Sequence, residues 1–230
     1  RPPARLSEHL PFPRLRPTST PLRAMGVTIS VGTVDKYNKK RAKAGRGTIL
    51  LIGLDGAGKS TIAHQLAENK YVPCRPTTGH DKLTMTHWGR KWDLFDVGGS
   101  MLTRETWRLY ARAADGIILV VDTSDPARMK EAGDAVRKLY FGDGGEDGSV
   151  QPNKVHGAFA NRKEIPPLLV LGNKIDKDGS IAYTKLDKRL ELRTLPFERK
   201  LVLPANGKTG ESLNAGVMWL TEQIDEIGSK

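Results

Sequence analysis

Residues 53–60 read Gly-Leu-Asp-Gly-Ala-Gly-Lys-Ser, a G-x-x-x-x-G-K-[ST] run set between a strand pattern and a helix pattern. Few eight-residue stretches constrain a fold so tightly. Upstream, Thr48-Ile-Leu-Leu-Ile52 is short, apolar and β-branched, which marks a buried strand. Downstream, Ile62, Ala63, Leu66 and Ala67 fall on one helical face. A loop so placed turns successive backbone N–H groups toward a polyphosphate at a helix N-terminus. Gly53 and Gly58 allow the tight turn, Lys59 reaches the β- and γ-phosphates, and Ser60 offers its hydroxyl to Mg2+. The expected phosphate contacts are Gly53, Asp55, Gly56, Ala57, Gly58, Lys59, Ser60 and Thr61.

A second motif speaks to the base. Leu168-Leu-Val-Leu171 is another buried-strand run, and it leads into Gly172-Asn173-Lys174-Ile175-Asp176. Asn-Lys-x-Asp at a strand end is the guanine-reading motif of GTPases. The Asp176 carboxylate can accept hydrogen bonds from the ring N–H and the exocyclic amine of guanine, groups that adenine lacks. A site built on such bonds discriminates strongly, because the wrong base leaves buried polar groups unpaired. Alone the motif is weak; downstream of a phosphate loop it is strong.

A third motif is Asp96-Val97-Gly98-Gly99, after Trp92-Asp-Leu-Phe95. Asp96 is placed to hold the Mg2+ shell through water, and the Gly99 N–H can meet a γ-phosphate if no side chain intrudes. Between loop and strand lies Pro76-Thr77-Thr78-Gly79, where Thr77 can ligate Mg2+ with GTP bound and release it after hydrolysis. Last, Leu201-Val-Leu203 runs into Pro204-Ala205-Asn206, where a backbone N–H, assigned to Ala205, can reach the guanine carbonyl.

On these residues the chain resembles the ADP-ribosylation-factor (Arf and Arf-like) family of small GTPases, in the Ras superfamily. Gly53–Thr61, Pro-Thr-x-Gly at 76–79, Asp-Val-Gly-Gly at 96–99 and Trp-Arg-x-Tyr at 107–110 carry the likeness. Val-Val-Asp at 120–122, Asn-Lys-x-Asp at 173–176 and Trp219-Leu220 add to it, over about 48–228. The resemblance implies GTP and GDP as ligands, Mg2+ as cofactor, and slow hydrolysis assisted by a GTPase-activating protein. It also implies an exchange factor and effectors as partners. Asp55 is a phosphate-proximal acid in such proteins, and no base role is assigned to it.

The chain departs from the family pattern in three places. The family's water-orienting glutamine follows Asp-Val-Gly-Gly; here that position, beside Gly99, is Ser100, too short for the task. His80 stands where an aromatic follows Pro-Thr-x-Gly, and Phe95 replaces the usual tryptophan before Asp96. With Tyr110 these would form an altered effector patch. Drift in a divergent member and a changed partner set both fit.

The net charge of +11 is unevenly placed. Residues 1–47 carry eleven Lys and Arg against Glu8 and Asp35, a net +9, leaving the rest nearly neutral at +2. A basic tail implies an anionic surface, and without interleaved aromatics a membrane is favoured over nucleic acid. Residues 1–24, with six prolines and five arginines, read as a disordered extension, possible sequence upstream of a true start. Organelle targeting is a second reading of that segment. Residues 25–47 then form a basic membrane-targeting segment: Met25-Gly26-Val-Thr-Ile-Ser30 fits N-myristoylation at Gly26. Val27, Val31 and Val34 share a helical face able to insert. One cysteine, Cys74, fits a reducing compartment. No stretch approaches the roughly 18 apolar residues of a membrane-spanning helix. The expected location is cytoplasmic, peripheral on the Golgi or another endomembrane, and the expected state is monomeric.

These features predict a three-layer α/β phosphate-loop GTPase fold over 48–230, a mostly parallel six-stranded sheet with helices on both faces. Strands should begin near Thr48, Leu83, Trp92, Gly116, Leu168 and Lys200, with helices near 126–141 and 211–227. A Gly- and acid-rich insertion lies near 142–166. Two functions stay open: a GDP/GTP switch in membrane or vesicle trafficking, and a GTP-binding scaffold with negligible turnover because of Ser100. A phosphate-loop kinase fits less well, since the Asn173–Asp176 and Asp96–Gly99 motifs argue against it.

Overall fold

The computed structural model describes residues 22–24, 27–29, 46–142, 157–159, 164–195 and 198–228. Strands β1 (Leu22–Ala24) and β2 (Val27–Ile29) pair antiparallel, Ala24 opposite Val27. The β-branched Val27, Thr28 and Ile29 favour a strand, so the helical face expected from Val27 onward is not formed there. Val31 and Val34, the rest of 1–24, Gly26 and the basic run 36–43 lie outside the described residues.

The body begins with β3 (Gly47–Ile52) and helix α1 (Lys59–Glu68). A hairpin of β4 (His80–His87) and β5 (Arg90–Val97) follows, then short helices α2 (Met101–Arg104) and α3 (Trp107–Ala111). Next come β6 (Gly116–Asp122), α4 (Met129–Phe141), β7 (Leu168–Asn173), α5 (Leu186–Arg189), β8 (Lys200–Pro204) and α6 (Leu213–Ile227). The sheet order is β4-β5-β3-β6-β7-β8, with β4 alone antiparallel to its neighbour. This is the expected α/β phosphate-loop GTPase fold. Strand β4 starts three residues before Leu83, because the edge hairpin ladder carries polar His80, Asp81 and Lys82 that give no apolar signal.

Parallel strands covered on both faces read as continuous apolar runs, and here alternate residues feed two separate cores. Leu50, Ile52, Ile117, Leu119, Leu168 and Val170 pack on one face with Val136 and Leu139 of α4. Ile49, Leu51, Ile118, Val120, Leu169 and Leu171 pack on the other with Ile62 of α1 and Leu213, Val217 and Leu220 of α6. Each of those buried side chains contributes about 1.5–3 kcal/mol, and together they hold the strand ends rigid. The phosphate loop, Asp96–Gly99 and Asn173–Asp176 all sit at those ends.

The expected insertion is not loose throughout. Gly157 and Ala158 donate backbone N–H bonds to Tyr140 O and Leu139 O, both at 2.9 Å, closing carbonyls at the end of α4. Phe159 is buried and its ring lies 4.7 Å from that of Tyr140. At the other boundary, Arg46 donates to Thr84 Oγ1 at 3.1 Å and pairs with Asp93, so its charge is drawn onto the sheet edge.

Candidate functional site

The loop between β3 and α1 shapes the phosphate end. Gly58 takes φ +94° at the N-cap of α1, and a Cβ there would lie 2.3 Å from Asn173 Nδ2. Glycine is therefore required on both backbone and steric grounds. Lys59 is buried and bridges its Nζ to Leu54 O at 3.0 Å. Burial pushes its pKa down, opposed by the nearby carboxylates of Asp96 and Asp55. A cation held this dry is strongly attracted to any phosphate that enters.

Three oxygens converge beside it. Ser60 Oγ donates to Asp96 Oδ2 at 2.5 Å, and Thr77 Oγ1 lies 3.0 Å from Ser60 Oγ and 3.4 Å from Asp96 Oδ2. Asp96 is almost fully buried, burial raises its pKa, and its Oδ1 has no hydrogen-bond partner. One carboxylate with two hydroxyls suits Mg2+, which takes few protein ligands and completes its shell with water and substrate phosphates. No cluster of three or more His, Cys, Asp or Glu able to hold a metal occurs among the described residues, so a thiolate- or imidazole-type centre has no candidate there. The orphaned Oδ1 fits a water-mediated role.

At the base end, Asn173 acts as a stitch. Its Nδ2 donates to Ala57 O at 2.8 Å and its Oδ1 accepts from Gly207 N at 2.9 Å, tying the phosphate loop to the segment after β8. Lys174, at φ +67°, donates to Asp122 Oδ2 at 2.5 Å. Burial would raise the Asp122 pKa, but bonds from Lys174 and Ser124 outweigh it and hold the carboxyl low. Asp176 stands at the cleft with Lys208 Nζ 3.7 Å away.

One assignment is corrected. Ala205 is fully buried and its N–H donates to Gly172 O at 2.8 Å. The β7–β8 ladder runs one step further than the apolar pattern indicated, and consumes that donor. Asn206, Gly207 and Lys208 wall the cleft instead. Of the nucleotide, metal and catalytic positions expected from sequence, Gly53, Ala57, Asp96 and Ala205 lie behind the wall. Asp55, Gly56, Gly58–Thr61, Thr77, Gly99, Ser100, Asn173, Lys174 and Asp176 line a cleft of about 490 Å3. Gly26, expected as a lipidation site, lies outside the described residues.

Gly99 packs directly on the phosphate loop: a Cβ there would meet Gly53 O at 2.3 Å and Asp55 N at 2.4 Å. Ser100 begins α2 and its Oγ lies 3.0 Å from Thr103 Oγ1, so its hydroxyl is engaged locally. Beyond it, Arg104 gives Nε to Gly99 O at 2.7 Å and a terminal nitrogen to Glu131 at 2.7 Å. Arg128 binds Asp55 at 2.8 Å and Glu131 at 2.7 Å. The spacing of these residues gave no sign of this network, since its partners come from three elements. Arg128 and Arg104 pull the Glu131 pKa down to about 2, and Arg128 lowers that of Asp55. The stability carried by Glu131 is therefore full above its ordinary 4.5 and is lost as pH falls toward about 2. Thermal melts of Glu131→Gln should show a flatter acid limb across that window; an unchanged limb would contradict the network.

Two of the altered positions, His80 and Phe95, do meet Tyr110. His80, Phe95 and Tyr110 place ring centroids 5.1–6.5 Å apart, and Tyr110 Oη lies 2.8 Å from His80 Nδ1. Lys82 Nζ sits 5.5 Å from the Phe95 ring centre. Met101, Leu102 and Leu109 are exposed on α2 and α3.

Comparison with known proteins agrees with this geometry. The profile of the ADP-ribosylation factor family matches residues 34–147 and 158–224, passing over a shorter stretch than the insertion expected near 142–166. ADP-ribosylation factor-like protein 2 of Drosophila melanogaster is 31% identical over 194 residues, 84% of this chain and 96% of that protein. ADP-ribosylation factor-like protein 1 of Saccharomyces cerevisiae is 30% identical over 178 residues, 77% of this chain and 87% of that protein. Among solved structures, the Arl6 BBS3 small GTPase of Trypanosoma brucei, with the nucleotide analogue GppNp bound, matches with a TM-score of 0.64. It is 25% identical and covers 79% of this chain and 98% of its own. The mammalian SRP receptor shares the fold at a TM-score of 0.62 and 15% identity, over 76% of this chain and 99% of that one. No helix among the described residues is long and apolar enough to cross a membrane.

Proposed function

This chain belongs to the ADP-ribosylation factor family of small GTPases, and from that premise we propose that it is a GDP/GTP switch working at a membrane surface in vesicle trafficking, with very slow unassisted hydrolysis. The observation that carries the switch is the convergence of Ser60, Thr77 and Asp96 beside Lys59. Thr77 belongs to the segment between α1 and β4, so its hold on the site can depend on the terminal phosphate. Mg2+, held by Ser60 and Thr77 directly and by Asp96 through water, would neutralise phosphate charge. Lys59 and the loop N–H groups bind the phosphates, and Asp176 with the Gly207–Lys208 segment reads the base. Ser100 leaves the chain without its own water-orienting amide, so a GTPase-activating protein must supply one. An exchange factor would release GDP, and effectors would dock on the His80, Phe95 and Tyr110 patch.

Membrane attachment rests on Gly26 as a myristoylation site if translation starts at Met25, with Lys36, Lys39, Lys40, Arg41 and Lys43 behind it. One acyl chain binds marginally, about 10⁴ M⁻¹, and each basic residue near an anionic leaflet adds roughly 1 kcal/mol. Sedimentation with phosphatidylserine vesicles tests this reading. The acylated chain should pellet, more so with a non-hydrolysable GTP analogue than with GDP, and Gly26→Ala should stay in solution. Equal pelleting of both proteins in both nucleotide states would reject it.

A further inference from the structure

Two arginines border the phosphate end of the cleft, and both are committed. Arg104 is bound to Gly99 O and Glu131, and Arg128 to Asp55 and Glu131. A third, Arg75, lines the same cleft two residues before Thr77. It is exposed, and no hydrogen bond or ion pair engages its side chain among the described residues. Its neighbours are fixed: the Thr77 hydroxyl is held between Ser60 and Asp96, and Pro76 restricts the backbone between them. Of the other cations of the cleft, Lys59 is held at Leu54 O, Lys174 at Asp122 and Lys208 beside Asp176, while Lys177 follows Asp176 in the base-reading motif rather than standing beside Thr77.

We propose that Arg75 is a catalytic residue, an arginine supplied in cis whose guanidinium engages the terminal phosphates of GTP more strongly in the transition state than in the ground state. The inference rests on the GTP-switch reading above. In the step it serves, the oxygen of water bonds to the γ-phosphorus and the bond from that phosphorus to the β–γ bridging oxygen breaks. The bridging oxygen keeps the electron pair and leaves on GDP; one water proton remains on the phosphate and the other passes to solvent. Negative charge shifts toward the bridging oxygen and is shared over the transferring group. A planar, permanently charged fork meets two such oxygens at once. An arginine in cis accompanies unassisted rates of about 10⁻² per second, against about 10⁻⁴ without one. Ser100 masks this contribution, because the charge is met while the attacking water is left unoriented. The partner must then bring a water-orienting group and need not bring an arginine.

The test is single-turnover GTP hydrolysis without partners, for Arg75→Ala and Arg75→Lys, each in the parent and in a Ser100→Gln background. Affinities for GDP and for a non-hydrolysable GTP analogue are measured alongside. Arg75→Ala should slow hydrolysis at least tenfold in both backgrounds with affinities unchanged, and Arg75→Lys should recover only part of the loss. Rates within twofold of the matching background, with nucleotide bound normally, overturn the proposal. A loss of analogue affinity equal to the loss of rate also overturns it, by assigning Arg75 to ground-state binding. A parent chain that binds neither nucleotide is a different failure, of the GTP-switch reading itself, and takes this inference with it.

Discussion

Asp176→Asn should convert the guanine site into a xanthine site. On the proposed reading the carboxylate at this position would accept two hydrogen bonds, from the ring N–H and the exocyclic amine of guanine; it faces the cleft with Lys208 at 3.7 Å. Xanthine carries a carbonyl in place of the exocyclic amine, so it meets the wild-type carboxylate as acceptor against acceptor. An asparagine amide donates to that carbonyl instead. Sites built on hydrogen bonds reject analogues lacking them by about 10⁴-fold, and a preference change of that order is expected between GDP and XDP. The fold should not suffer, since the Asn173 stitch to Ala57 O and Gly207 N is untouched. Competition binding with labelled GDP measures the change; an unaltered preference would remove Asp176 from base recognition.

The second large effect concerns turnover. Unassisted hydrolysis by the parent chain should be slow, on the order of 10⁻⁴ per second or less, and a GTPase-activating partner that orients the attacking water should raise it. Ser100 is the reason: its hydroxyl is short and lies 3.0 Å from Thr103 Oγ1 at the start of α2. Ser100→Gln should accelerate unassisted single turnover at least tenfold, provided the new side chain clears Thr103. Adding Thr103→Ala removes that neighbour and keeps the comparison decisive. Fast turnover by the parent would show that another group orients the water.

What was legible from sequence is what is local. The phosphate loop, Asp96 and the Asn173–Asp176 run are short and contiguous, and each follows an apolar strand. Their placement at strand ends fixed the fold and most of the cleft before any distance was known. Ala205 was misassigned because the last hydrogen bond of a parallel ladder depends on the neighbouring strand. Gly207 and Lys208 are two and three residues away, with nothing in the apolar pattern to prefer them. The Arg104–Glu131–Arg128–Asp55 network was hidden for a similar reason, because its members lie up to 76 positions apart, on separate elements. Arg46 lies within the basic 25–47 segment expected to face a membrane, yet it pairs with Asp93 on the sheet edge, a partner 47 positions away. Phe159 sat in a stretch that looked like plain loop, yet a single aromatic docks it on α4.

The central claim is that this cleft is built for a guanine nucleotide. The most direct measurement is displacement of labelled GDP, in Mg2+, by unlabelled GTP, GDP and ATP. GTP and GDP should compete at equal or near-equal concentration, with ATP at least 10³-fold weaker because its base leaves Asp176 unpaired. Equal competition by ATP and GTP would contradict the account.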